Sequence, residues 1–306
     1  MADNPPPPSP SRAIVFARRS VSTLILWALV AGIFASRWSW AYLGLLGLLA
    51  IIATVEYFRM LRAAQVGGFP RFGIVLVVGY CSTLYASLLH GQAPPADLDA
   101  VALFIVVAGA FTLQLRQPIQ GAASLLAVAA TVLGFIYIAV LFNFAARLIF
   151  MVPGWNNAPG RICEPGAYLL LWLLAVTKFT DMGAYITGSM IGRHKLIPHV
   201  SPGKTWEGFG GALLFAQLAG YGLYVAFPEE LSLLGNPGHV IALGFLLAIL
   251  AVIGDLAESV LKRALNAKDS GRILPGIGGS LDLIDSLCFT APALYFYLKW
   301  FLLPTA

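Results

Sequence analysis

Two pairs of carboxylates stand out in a chain that carries little charge. Asp282 and Asp285 lie three apart in SLDLIDSLCF, and Asp255 and Glu258 lie three apart in AVIGDLAESVLKR. Residues at that spacing share one helix face, so each pair sets two like charges side by side on an apolar segment. If the pairs converge, four carboxylates in a small volume are untenable without cations. Oxygen-only donors favour a hard ion such as Mg²⁺, and neither His nor Cys competes nearby. Asp255, Asp282 and Asp285 are therefore expected metal ligands. Glu258 is either a further ligand or the partner of Lys262. The alternative is a set of structural ion pairs, with Lys178, Lys262 and Arg263 neutralising the acids.

The loop between the pairs, KRALNAKDSGRILPGIGG, supplies Lys262, Arg263, Lys268 and Arg272 and then a Pro-Gly-x-Gly-Gly turn. Such a turn lets backbone N–H groups approach an anion, and the helix N-terminus after it favours negative charge. Cations beside a carboxylate pair suit a ligand that carries phosphates and Mg²⁺ together. A second polar loop reads GRHKLIPHVSPGKTWEGFGGA. Ser201, Lys204 and Thr205 offer donors there, Glu207 an acceptor, and Gly208, Gly210 and Gly211 permit close helix packing. SPGKT lacks the G-x-x-x-x-G-K-[ST] spacing, which excludes a Walker ATPase. His194 and His199 read as ordinary loop residues, and Lys178 and Asp181 lie within an apolar segment.

The elements that must position these groups are membrane spans. The chain has 306 residues, 59% hydrophobic and 11% charged, whereas soluble domains carry about a quarter charged residues. The expected fold is all-α and polytopic, with about nine transmembrane helices at 21–36, 39–55, 72–89, 99–115, 121–144, 166–190, 208–227, 238–263 and 282–303. Residues 1–20 form a Pro-rich, basic, disordered tail, 21–150 a first group of spans with almost no polar residues inside them, and 151–306 the region that carries the chemistry. Of the 19 Lys and Arg, only Arg37, Arg147, Arg161 and Lys299 fall on the outer side when the N-terminus is placed inside, and Lys178 lies within a span. That bias puts the N-terminus and both polar loops in the cytoplasm. Cys81, Cys163 and Cys288 are too far apart for a CxxC site.

SVLKRALNAKDSGRILPGIGGSLDLID resembles the signature of the phosphatidate cytidylyltransferases, also called CDP-diacylglycerol synthases. Ser259, Lys262, Arg263, Lys268, Asp269, Pro275, Gly278, Gly279, Asp282 and Asp285 fall in register with S-x-x-K-R, K-D, P-x-H-G-G and D-R-x-D. Upstream, DMGAYITGSMIGRHKLIPHVSPGKTWEGFGG is similar to a second stretch of that family. The chain departs from the pattern at Ile277, Ser280 and Leu283, where the family has His, an aliphatic residue and Arg. The resemblance implies transfer of a cytidylyl group from CTP to phosphatidic acid, with Mg²⁺ and a second cation such as K⁺. It implies Asp255, Asp282, Asp285 and Lys262 at the catalytic centre. Substrate would meet Ser201, Lys204, Thr205, Ser259, Arg263, Lys268, Asp269, Gly278 and Gly279. It further implies an integral protein of the bacterial inner membrane and, by analogy, a homodimer; no nucleic acid partner is expected. CTP-dependent phosphorylation of a lipid alcohol is the alternative enzyme, and a cation transporter is the alternative outside enzymes.

Overall fold

The computed structural model describes residues 28–152, 160–267, 270–271 and 278–303. Residues 28–36 are helical. The helices that follow are α1 (Ser39–Ala63), α2 (Pro70–Leu89), α3 (Leu98–Gln114), α4 (Ala122–Ile149), α5 (Glu164–Ile191), α6 (Trp206–Ala226), α7 (Pro237–Ala264) and α8 (Ser280–Leu302). Seven of them are long and apolar enough to cross a membrane, and α3, with 17 residues, is shorter. At 1.5 Å per residue α3 covers about 25 Å, less than the roughly 30 Å of a hydrocarbon core. The first expected span begins outside the described residues, as does the whole expected tail at 1–20. The chain is an all-α polytopic integral membrane protein.

Local chemistry sets several of the helix ends. Proline occupies the first turn of α2, α5 and α7, where its missing N–H is not needed. Asn236 caps α7 by accepting from the Gly238 and His239 N–H groups, and Thr205 caps α6 by accepting from Gly208 N–H. Outward faces are apolar, with Phe104, Leu125, Leu218 and Ile249 exposed as lipid-facing residues would be. One buried cluster joins both halves of the chain, from Tyr42 on α1 to Leu298 on α8.

Two features differ from the expected all-helical pattern. The loop at 191–207 is a short antiparallel hairpin, β1 (Lys195–Ile197) with β2 (Ser201–Thr205), in the register Lys195↔Thr205 and Ile197↔Ser201. Glu207 fixes its base, accepting from the Arg193 and His194 N–H groups, and its carboxylate pairs with the His194 ring at 2.6 Å. His194, read as an ordinary loop residue, is thus a tether. The second feature is in the first half, where spans nearly free of polar groups were expected. Asn143, Thr54, Thr131 and Glu56 are all buried there.

Candidate active site

Consecutive helices run antiparallel, which brings the end of α1, the end of α7, the start of α8 and the hairpin to one face of the membrane bundle. Gly254 lets α7 and α8 touch: a Cβ there would lie 2.8 Å from Ser286 Cα and 2.9 Å from the Asp285 carbonyl oxygen. Ser286 seals the contact by donating to Ala251 O at 3.2 Å. Asp255 and Glu258 on α7 are thereby set against Asp285, at a turn between the first and second segments of α8.

One oxygen from each of Asp255, Glu258 and Asp285 lies within 4.8 Å of the others. Among the described residues this is the group of acids placed to share a metal ion. Glu258 and Asp285 are 2% and 6% exposed, and Glu258 Oε1 is buried without a hydrogen-bond partner. A buried carboxylate oxygen left without a donor is costly, so the donor set fits a hard cation. Asp282 stands beside this trio rather than in it. Its carboxylate is 3.4 Å from Lys262 Nζ and accepts from Gly279 N–H at 3.2 Å.

Three ammonium groups ring the acids. Lys262 bridges Glu258 at 2.7 Å and Asp282. Lys204, carried on β2, reaches Asp255 at 2.8 Å and donates to Val252 O at 3.2 Å. Lys178 on α5 lies 3.7 Å from Asp181 and donates to Leu283 O at 3.4 Å. Asp181 is within electrostatic reach of Asp255 and Asp285. Counted as fully ionised, five carboxylates against three ammonium groups leave two formal negative charges, the charge that one divalent ion offsets. Of the ion pairs weighed from the sequence, those of Lys178 and Lys262 form, whereas Arg263 makes none among the described residues, and the trio is left short of positive charge.

The remaining expected site residues are placed unevenly. Ser201 and Ser259 are half-buried on β2 and α7, and Arg263 is exposed at the end of α7. Thr205 is 5% exposed with its hydroxyl engaged by the α6 cap. Gly278 adopts φ +114°, a conformation that favours glycine, directly before the Gly279 N–H that holds Asp282. Lys268, Asp269, Arg272, Pro275 and Ile277 lie outside the described residues. Of the departures from the family pattern, Ser280 donates to Leu49 O at 3.0 Å and ties α8 to α1. Leu283 offers its carbonyl oxygen to Lys178, so a cation reaches this turn from α5.

One residue escaped the sequence reading altogether. Glu56, fully buried on α1, accepts from Leu281 N–H at 3.1 Å in the first turn of α8. An anion at a helix N-terminus is favourable, and here it fixes the helix that carries Asp282 and Asp285. Gly271 and Gly279 leave room for it, since a Cβ at either would lie within 3.0 Å of its carboxylate. The signal was present, a single acid in the apolar run IIATVEYF.

Comparison with known proteins gives the same direction. A model described as Cytidylyltransferase family matches residues 17–301. An uncharacterized protein of Escherichia coli (strain K12), YnbB, is 38% identical over 200 residues, covering 65% of this chain and 63% of its own. A phosphatidate cytidylyltransferase of Brucella suis is 49% identical over 138 residues, covering 44% of this chain and 48% of the relative. A phosphatidate cytidylyltransferase of Bacillus subtilis is 40% identical over 136 residues, with 44% and 49% covered. The chain thus spans about half the length of the named enzymes it matches.

Proposed function

Since the chain belongs to the cytidylyltransferase family, we propose that it transfers the cytidylyl group of CTP to phosphatidic acid, forming CDP-diacylglycerol and pyrophosphate. The observation that carries this reading is the convergence of Asp255, Glu258 and Asp285 beside Lys204 and Lys262. A lipid phosphate cannot leave the bilayer and CTP cannot enter it, so the reaction belongs at an interface. The site lies at the ends of spans, and the excess of Lys and Arg on that side supports a cytoplasmic orientation, which the proposal sets in a bacterial inner membrane.

In this scheme a phosphate oxygen of phosphatidic acid bonds to the α-phosphorus of CTP while the bond to the departing pyrophosphate oxygen breaks. The attacking oxygen is already anionic, so neither a protein nucleophile nor a general base is needed, and catalysis reduces to positioning and charge neutralisation. Asp255, Glu258 and Asp285 would hold Mg²⁺. Bound there, the ion supplies positive charge to the phosphates in the bond-changing step. Asp282, one of the three metal ligands expected from the sequence, holds Lys262 between α7 and α8 in this proposal. Lys204 and Lys262 carry phosphate charge, as do Arg263 and Lys268 in the proposal. Ser201, Ser259, Asp269, Gly278 and Gly279 complete its substrate contacts, and Thr205 supports them by ordering the hairpin.

The test is incubation of purified protein with phosphatidic acid, Mg²⁺ and CTP labelled at either the α- or the γ-phosphate. The proposal requires α-label, and not γ-label, in the lipid extract. Gamma-label in lipid would identify a lipid kinase instead. No label from either CTP would reject both reactions.

A further inference from the structure

A cavity of about 810 Å³ opens at the end of the bundle opposite the candidate active site. Its place follows from the helix directions. Helix α8 begins near Asp282 at the site and ends at Lys299 on the cavity wall, and α1 begins at Ser39 on the wall and carries Glu56 to the site. Arg147, Arg161, Lys299 and His90 line it, and no Asp or Glu is among its described lining residues. This is an unusual use of charge. The outer side of the chain has four Lys and Arg in all, Arg37, Arg147, Arg161 and Lys299. Arg37 pairs with Glu164, and the other three meet at this one cavity.

Two of the three cations are held without being spent. Arg161 lies over the Trp38 ring at 5.5 Å and Lys299 over the Tyr295 ring at 6.0 Å, and no carboxylate pairs with either among the described residues. Arg147 uses Nη2 on Asp99 at 2.6 Å and on the Tyr80 hydroxyl at 3.1 Å. Its Nε is buried and has no hydrogen-bond partner. A guanidinium carries five N–H donors, and the bonds to Asp99 and Tyr80 through Nη2 do not exhaust them. Backbone bonds from Ser39 N–H to Gly160 O at 2.9 Å and from Ile162 N–H to Arg37 O at 2.8 Å brace the wall that carries Arg161.

We infer that this cavity is a binding site for a phosphate-bearing anion, separate from the catalytic site. Its volume falls within the range of ligand pockets and exceeds what inorganic phosphate needs. The bilayer's own supply at that face is the acidic headgroup of a phospholipid in the far leaflet, and the aromatic rings of Trp38 and Tyr295 suit the interface where such headgroups lie. The inference does not depend on the reaction proposed above, because none of these residues contributes to the catalytic face.

The experiment uses the full chain in detergent, with phosphatidylglycerol and inorganic phosphate as probes. Bound phosphatidylglycerol is counted by native mass spectrometry in wild type, in Arg161→Gln/Lys299→Gln and in Arg71→Gln, and melting is followed against inorganic phosphate. The double variant alters exposed walls and leaves the buried Arg147 in place, so folding is preserved. Loss of two cations is expected to weaken lipid binding roughly tenfold in the double variant and not in Arg71→Gln, which removes an exposed cation at the other end of the bundle. If lipid binding is unchanged but a phosphate-induced rise in melting temperature disappears, the ligand is free phosphate. If neither probe distinguishes the double variant from wild type, or if Arg71→Gln loses lipid equally, the inference is overturned.

Discussion

Lys262 is shared by two carboxylates, one of them almost wholly buried, and its removal should be felt in stability before activity is considered. Lys262→Met leaves Glu258 in the interior without its nearest cation, and breaking a buried pair from one side costs about 3 kcal/mol or more. Adding Glu258→Gln to that variant removes the stranded charge, so the double variant should melt above Lys262→Met alone. Thermal melts of the two proteins decide it, and an equal or lower melting temperature for the double variant would mean that the pair is not the source of the loss. Glu258→Gln by itself should retain the fold and demand roughly tenfold more Mg²⁺ for half-maximal turnover, a deficit of the size that follows damage to a metal site. Unchanged Mg²⁺ dependence would return Glu258 to a purely structural role as the partner of Lys262.

Among the elements, the contact between α7 and α8 decides whether the acids meet. Gly254→Ala puts a methyl group 2.8 Å from the Ser286 backbone, which cannot yield as a flexible side chain would. The helices must separate, and turnover should fall by about tenfold or more, since misplacement of a reacting group by an ångström has costs of that order. Gly222→Ala on α6, where nothing lies within 4 Å, is the matched control and should be neutral or stabilising by up to about 1 kcal/mol. Equal activity in the two variants would show that the close approach is not needed. Much of this arrangement was legible beforehand, because apolar length and i,i+3 spacing report helices and helix faces directly. The spans at 238–263 and 282–303 match α7 and α8 within two residues. Spacing could not say which member of each pair would face across the gap, so Asp282 and Glu258 exchanged the prominence expected of them. That choice is made by Gly254 and by the turn at Asp285, both tertiary facts. Hydropathy likewise closed the first described span at residue 55, one position before Glu56, while the backbone hydrogen bonds of α1 continue to Ala63.

On the scale of the whole molecule, the bundle has two chemically different ends. One gathers acids and lysines from the hairpin, α5, α7 and α8; the other gathers Arg147, Arg161 and Lys299 around a cavity. The hairpin was not legible because Pro198, Pro202 and Gly203 disguise the strand pattern, and its order comes from Glu207, which reaches back from α6. Orientation can be read by labelling. Gly203→Cys on the open hairpin should react with a membrane-impermeant maleimide only from the cytoplasmic side, and Gln92→Cys only from the other, each in a Cys163→Ser background with Cys81 and Cys288 buried. Reaction of both from one side would overturn the antiparallel topology, and exchange of sides would invert the orientation.

The claim on which the account rests is that Asp255, Glu258 and Asp285 form one cation centre. Titrating the purified protein with Mn²⁺ and following the loss of the free-ion electron paramagnetic resonance signal tests it without any assumption about substrate. The account predicts one saturable site in wild type, abolished by Asp285→Asn and weakened roughly tenfold by Glu258→Gln, with both variants still folded by their melting curves. Retention of the wild-type Mn²⁺ isotherm in folded Asp285→Asn would contradict it.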